Sequence, residues 1–247
     1  PISSDLNVLR SSLYPNLILF LKKNIDRGFE NQSLFEIGPL FIGKKPGQQI
    51  TIICGVRKED KLNVYDIKKD VVQTLVELGI DKNDTRISIE TPSYYHPGRS
   101  GSIMTKNDKK LLAYFGQIHP KIINNIYGFE IFLENLVQYK SQNKKDKPTI
   151  TFSDYQKSER DFAFVVQKDL LAQDLLEIIL NVDQSLIKNV KIFDVYEGEN
   201  IPVDKKSIAL KVTIQSDFKM LNEKDLNEIS QKIISNVEEK ASAKLRS

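Results

Sequence analysis

The chain has 247 residues, more than a single hydrophobic core usually organises, so we expect two domains. With 40% hydrophobic and 28% charged residues, it has the composition of a globular protein rather than a disordered or fibrous one. It contains no apolar run long enough for a transmembrane helix, and its single cysteine excludes an internal disulfide framework. We therefore expect a cytoplasmic protein without membrane contact. Because Pro1 cannot be a translation start, we also expect a piece of a longer chain.

The net charge of +3 conceals an asymmetry between the two halves of the chain. Residues 148–247 hold 14 Lys and Arg against 17 Asp and Glu, a net charge of −3, which leaves +6 for the rest. Between the halves lies a run of polar and charged residues that ends at Pro148 and is typical of an exposed linker. We predict domains over residues 1–140 and 150–247, joined by a linker over residues 141–149.

The first domain opens with apolar residues at helical spacing. Leu6, Leu9 and Leu13 predict a first helix, and Pro15 is placed at the start of a second helix that ends near Gly28. A third helix is predicted over residues 64–78, and the remaining apolar runs predict strands over residues 33–41, 49–56, 87–90, 101–105 and 111–117. This order predicts a mixed domain of helices and antiparallel strands.

The second domain has a more regular pattern. Strands are predicted over residues 160–167, 190–196, 207–215 and 244–246, and helices over residues 170–182 and from Asn222 onwards. The order βαββαβ is that of a ferredoxin-like domain. Two helices cover one face of such a four-stranded sheet, and the other face stays open.

Most candidate catalytic or ligand-binding residues are better explained by a structural role. The run from Gly38 to Lys45 nearly matches a phosphate-binding loop, but Lys45 stands where a hydroxyl is needed. Cys54 has apolar neighbours, which favours a buried thiol, and two histidines with one cysteine are too few for a Cys/His zinc site. The cluster from Tyr94 to Ser100 is either a turn into the next strand or a polar site.

Short motifs in a fixed order resemble the C-terminal third of the β subunit of bacterial phenylalanyl-tRNA synthetase. They span nearly the whole chain and are, in order, Ser3–Leu13 (SSDLNVLRSSL), Leu34–Gly38 (LFEIG), His96–Ser100 (HPGRS), Gly116–Pro120 (GQIHP), Ser158–Asp161 (SERD), Phe193–Gly198 (FDVYEG), Lys205–Ser207 (KKS) and Leu245-Arg246. The resemblance implies a class II synthetase-like core without catalytic residues, followed by a ferredoxin-fold domain that contacts the anticodon region of the tRNA.

The resemblance also implies partners and cofactors for the whole enzyme. These are an α subunit that carries catalysis, a heterotetramer of two α and two β subunits, ATP, Mg²⁺, phenylalanine and tRNA(Phe), but not DNA. No cofactor is expected to bind to this part of the chain. The core is expected to pack against the α subunit, and the residues expected at that interface are Leu6, Leu9, Arg10, Leu13, Leu17 and Leu21. The alternative is that this apolar face belongs entirely to the internal core.

For tRNA, the open face of the ferredoxin-like sheet is the expected platform, since single-stranded loops stack on aromatic side chains while cations hold phosphates. The candidate residues are Arg160, Lys191, Tyr196, Lys205, Lys206, Ser207 and Arg246. The net negative charge of this domain predicts a local contact rather than a broad basic surface. A purely structural fragment, or a small-molecule sensor of the same strand order, remains the alternative.

Overall fold

The computed structural model describes residues 8–142 and 153–246, and the chain divides into two compact units, residues 1–146 and 147–247. Both units combine helices with antiparallel sheets, which confirms the α+β class. The predicted linker begins on the last two residues of a helix, and its residues 143–149 lie outside the described part of the chain. Among the described residues, no helix has both the length and the apolar character needed to cross a bilayer.

The first unit is built on a six-stranded sheet with the order β1-β2-β6-β5-β4-β3, in which all neighbours are antiparallel. Its described elements are, in chain order, α1 (Tyr14–Ile25), β1 (Gln32–Phe41), β2 (Gln49–Lys58), α2 (Val64–Glu77), β3 (Thr85–Ser88), β4 (Tyr95–Thr105), β5 (Leu111–Ile118), β6 (Tyr127–Phe132) and α3 (Leu133–Gln142). Pro15 lies in the first turn of α1, where its missing N–H costs no hydrogen bond. Asn63 and Asp66 form a reciprocal capping box at the start of α2.

Helices pack on both faces of this sheet. On one face, Ile67 and Val71 of α2 and Leu136 of α3 join a buried cluster with β5 and β6. On the other face, Leu17 and Leu21 of α1 join a second cluster with β2 and the end of β5. The sheet therefore has a core on each side.

Three sequence predictions for this unit differ from the structure. The predicted first helix is absent over residues 8–12, which have no regular structure, while Leu6 lies outside the described residues. β6 and α3 were not predicted, because Glu130 interrupts the apolar run of β6. β4 begins at Tyr95 rather than at residue 101, so the His96–Ser100 motif is an irregular part of a strand and not a turn before it.

The second unit has the ferredoxin-like order that the sequence predicted. Its described elements are β7 (Ser158–Gln167), α4 (Ala172–Leu180), β8 (Ile187–Tyr196), β9 (Lys205–Ile214), α5 (Glu223–Ala241) and β10 (Lys244–Leu245). The sheet order is β10-β7-β9-β8, and all neighbours are antiparallel. Asn222 and Asp225 form the capping box that starts α5.

One face of this second sheet forms the core under α4 and α5. Ile208, Leu210, Val212 and Ile214 alternate along β9 and are fully buried with the apolar residues of both helices. Because successive side chains of a strand point to opposite sides, the intervening residues of β9 lie on the other face. The buried core residues of α4 and α5 all pack against the first face and not against this one.

Candidate nucleic-acid interface

Strand register defines the open face of the second sheet. Residues that pair directly across neighbouring strands share a face. The residues opposite the buried face are Glu159, Asp161, Ala163, Val165 and Gln167 of β7, Asn189, Lys191, Asp194 and Tyr196 of β8, Lys205, Ser207, Ala209, Lys211 and Thr213 of β9, and Lys244 of β10. We call this surface the open face. Arg246, whose backbone N–H donates to the Ala163 carbonyl, extends it beyond β10.

Tyr196 and Arg246 come from opposite edges of the sheet and meet above its centre. The guanidinium carbon of Arg246 lies 5.4 Å from the centroid of the Tyr196 ring. The central strands carry Ala163, Ala209 and Ser207 between them, and these small side chains leave room for the two long ones to cross. A cation over an aromatic ring contributes roughly 0.5–1 kcal/mol at an exposed site. The pair therefore presents an aromatic ring and a guanidinium together on an exposed surface.

Two features fix the position of Tyr196. Ser207, its partner on β9, is buried although it belongs to the open face. A Cβ atom at Gly198 would lie 2.6 Å from the Tyr196 hydroxyl, so this position accepts only glycine while the ring stays in place. The sequence motif that contains Gly198 thus has a packing reason that sequence reasoning did not identify.

Charge on the open face is partly neutralised. Lys211 Nζ lies 3.0 Å from Glu159 and 4.0 Å from Asp161, and the hydrogen bond to Glu159 raises the pKa of this lysine. Lys191 lies directly across from Lys211 and is exposed. The ion pairs of Lys211 reduce repulsion between the two ammonium groups. Lys191, Lys205, Lys244 and Arg246 have no carboxylate partner among the ion pairs of the described residues.

Arg160 and Lys206 do not lie on the open face, which corrects the sequence prediction. Arg160 pairs with the buried Val212, so it projects to the helix side, where it donates to Glu223 at 2.8 Å. Lys206 pairs with the buried Val166 and donates to the carbonyls of Lys168 and Leu170, at 2.8 and 2.9 Å. The alternation that buries the apolar residues carries these two cations to the same side.

The residues predicted to contact a partner subunit are divided by their burial. Leu13, Leu17 and Leu21 are at most 5% exposed and pack inside the first unit, as the alternative of an internal core requires. Leu9 is 67% exposed. Arg10 is held by an ion pair with Glu36 at 2.5 Å and donates from Nε to the Pro39 carbonyl.

The face of the six-stranded sheet under α1 contains a buried polar network. The hydroxyls of Tyr14 and Tyr95 lie 2.5 Å apart, and the Tyr94 hydroxyl donates to Glu130 Oε2 at 2.7 Å. Burial raises the pKa of the Glu130 carboxyl, and it also raises the pKa of the Cys54 thiol, which favours their neutral forms. The described residues contain no group of three or more His, Cys, Asp or Glu that could hold a metal ion.

Comparison with known proteins assigns each unit. Residues 1–131 match the model of the phenylalanyl tRNA synthetase beta chain CLM domain, and residues 153–246 match that of the ferredoxin-fold anticodon binding domain. A structure of the pyrrolysyl tRNA synthetase PylSc from Desulfitobacterium hafniense aligns with a TM-score of 0.44 at 18% identity, over 54% of this chain and 50% of the other.

Curated relatives match over the full length of the chain. The phenylalanine–tRNA ligase beta subunits of Paramagnetospirillum magneticum and Rhodospirillum rubrum are each 35% identical over 100% of this chain. The chain spans 33% of the length of each of these relatives. With a family model covering more than half of it, the chain belongs to the phenylalanyl-tRNA synthetase beta chain family.

Proposed function

We propose that this chain is part of a phenylalanine–tRNA ligase and that its second unit binds the anticodon region of tRNA(Phe) through the open face. The observation that carries the proposal is the Tyr196–Arg246 pair above a floor of small residues. Unpaired bases of an RNA loop stack on exposed aromatic rings, and a guanidinium binds phosphate through several N–H groups at once. The similarity of this unit to anticodon binding domains, and of the chain to phenylalanine–tRNA ligase beta subunits, supports the same class of partner.

In this arrangement the residues have separate roles. A base stacks on Tyr196 in place of the guanidinium, and Arg246 moves to a phosphate of the same loop. Lys191, Lys205 and Lys244 lie around this point and hold neighbouring phosphates, while the buried Ser207 supports the ring. The unit as a whole carries a net charge of −3, so its affinity depends on this one face.

We further propose that catalysis lies outside this chain. The enzyme as a whole uses ATP and Mg²⁺ to charge tRNA(Phe) in the cytoplasm, as a heterotetramer with the α subunit. The network of Tyr14, Tyr94, Tyr95 and Glu130 supports this placement because its polar groups bond to one another inside the first unit. We derive no step of the reaction from these residues.

Contact with the α subunit is proposed for the exposed apolar residues at the start of the first unit. Leu9 is exposed beside α1, whose Phe20 is 56% exposed on the helix surface. Leu9→Glu is expected to reduce the yield of the co-purified α subunit, whereas Val203→Glu, at a 91% exposed apolar residue of the second unit, leaves it unchanged. Equal yields for both variants would contradict this assignment.

The tRNA contact is tested by replacing the ring. Tyr196→Ala in the complete chain is expected to weaken binding of a tRNA(Phe) anticodon stem-loop by about 5- to 150-fold, the range for a lost base–aromatic stack. Tyr196→Phe keeps the ring and should bind nearly as well as the parent chain. Tyr65→Ala removes a 74% exposed tyrosine of the first unit and serves as the control. Fluorescence anisotropy measures all four proteins, and equal affinities would favour a structural or small-molecule role.

A further inference from the structure

Two His-Pro sequences meet at one end of the six-stranded sheet, outside the surfaces used above. His96 is the second residue of β4, and His119 directly follows the last residue of β5. Tyr95 pairs with Ile118, so the two histidines are neighbours across the strands. Their ring centroids lie 6.5 Å apart, with an interplanar angle of 28°. The sequence separates them by more than 20 residues, and the strand register brings them together.

A bulge in β4 adds an arginine to this pair. Between the pairs Tyr95–Ile118 and Ser100–Gly116, the four residues 96–99 of β4 oppose only Gln117 of β5. Bulges of this kind redirect side chains and are frequent beside functional sites. Here the bulge turns Arg99 so that its Nη1 donates to Gln117 Oε1 at 3.1 Å. Arg99 stands three residues after His96, and Gln117, which accepts its hydrogen bond, stands two residues before His119.

Backbone hydrogen bonds determine which nitrogen of each ring carries a proton. The Gly98 N–H donates to His96 Nδ1 at 3.0 Å, and the Lys121 N–H donates to His119 Nδ1 at 3.1 Å. A nitrogen that accepts a hydrogen bond has no hydrogen, so each neutral ring carries its hydrogen on Nε2. Among the hydrogen bonds and ion pairs of the described residues, neither Nε2 has a partner, and Arg99 is paired with no carboxylate. The site therefore offers donors only.

We propose that His96, His119 and Arg99 form a binding site for a phosphate group. Two half-buried imidazole N–H groups and a guanidinium supply separate donors, which suits the several oxygens of a phosphate better than the two of a carboxylate. A metal ion is disfavoured because both Nδ1 atoms are occupied, both Nε2 atoms are protonated and Arg99 repels a cation. The phosphate belongs either to a small molecule or to the backbone of a nucleic acid. The proposal does not depend on the tRNA contact of the second unit.

The test uses the fact that the chain has only two histidines. In the complete chain labelled with ¹⁵N-histidine, titration with inorganic phosphate is expected to shift the Nε2 resonances of both rings along one binding curve. Asparagine places an oxygen where histidine has Nδ1, so His96→Asn and His119→Asn keep the backbone hydrogen bond and remove the Nε2 donor. Glutamine places an N–H near the position of Nε2, so the Gln variants keep the donor and lose the backbone bond.

If the site binds phosphate, each Asn variant and Arg99→Gln should weaken affinity by about tenfold or more, the scale of a hydrogen bond to a charged group. The Gln variants should weaken it less, and Arg27→Gln, an exposed arginine beyond α1, should not change it. A second titration uses single-stranded RNA without a terminal phosphate. Shifts with phosphate alone indicate a small molecule, and shifts that are stronger with RNA indicate a nucleic-acid backbone.

Two results would overturn the proposal. One is that neither ligand shifts the imidazole resonances, and the other is that the shifts persist with unchanged affinity in both Asn variants. If an Asn variant loses its fold, as its backbone spectrum would show, Arg99→Gln decides alone because it leaves both histidine turns intact. An unchanged affinity in that variant contradicts the site.

Discussion

The two sheets of this chain place their polar side chains in opposite environments. The six-stranded sheet is covered by helices on both faces, and Glu130 on one of its inner strands is 3% exposed and bonded to tyrosine. The four-stranded sheet is covered on one face, and its open face carries Lys191, Lys244 and Arg246 toward solvent. A polar group in the first sheet stabilises an interior, whereas in the second it is available to a ligand. The same strand geometry thus gives a scaffold in one unit and, in the other, the surface that we propose binds RNA.

The largest expected effect is the difference in stability loss between substitutions on the two faces of the second sheet. Phe164 is fully buried under α4 and α5, and its neighbour Val165 lies on the open face. Phe164→Ala should lower the free energy of unfolding by about 3–5 kcal/mol, and Val165→Ala by about 1 kcal/mol or less. Urea unfolding followed by amide hydrogen exchange measures the second unit by itself. Equal losses would mean that both faces are core.

The next effect tests the buried network of the first sheet. Glu130→Ala leaves the hydroxyls of Tyr94 and Tyr95 without their acceptor and should lower the free energy of unfolding by about 1–3 kcal/mol. Glu130→Gln retains an acceptor oxygen and should cost less. The same exchange-detected unfolding, read from the first unit, distinguishes them. A Glu130→Ala variant as stable as the parent would show that the network does not stabilise the folded state.

Glu130 also gives this unit a pH dependence. Burial raises its pKa in the folded state above the ordinary value of 4.5, so the folded chain binds this proton more tightly than the unfolded chain does. The stability that the folded state gains from this tighter proton binding is therefore fully present below pH 4.5, and it is lost as the pH rises through the raised pKa. The difference in unfolding free energy between the parent and Glu130→Gln should change with pH in this window. A difference that is constant with pH would contradict the raised pKa.

A smaller effect concerns the position of a single ring on the open face. Gly198→Ala places a Cβ atom against the Tyr196 hydroxyl and should displace the ring. We expect a severalfold loss of anticodon stem-loop affinity, smaller than that of Tyr196→Ala, because the ring is moved rather than removed. Anisotropy titration of both variants checks this order. Unchanged affinity in Gly198→Ala would mean that the ring position does not matter.

Local patterns predicted much of the second unit, including the alternation along β9 and the helix that follows Asn222. The same alternation, extended to β7, could have placed Arg160 on the buried side, since it stands two residues before Phe162. β6 was missed because Glu130 depends on Tyr94 and Tyr95, which lie 36 and 35 residues away in sequence. Partners so distant leave no local signal.

The sites depend on register that sequence does not specify. The meeting of Tyr196 with Arg246 requires small residues on two strands between them, and the pairing of His96 with His119 requires a bulge that the motif alone does not reveal. Residue types in these motifs were recognisable, but their neighbours were not. Because the neighbours of α1 could not be inferred from sequence, its apolar face was assigned to an interface, although Leu13, Leu17 and Leu21 are core residues.

The central claim is that RNA binding depends on particular residues of the open face and not on the overall charge of the unit. Arg246→Ala and Arg160→Ala remove the same group from opposite faces of one sheet, so comparing their affinities for the tRNA(Phe) anticodon stem-loop tests it most directly. The account predicts a loss of about tenfold for Arg246→Ala and almost none for Arg160→Ala. Equal losses, or a larger loss for Arg160→Ala, would contradict it.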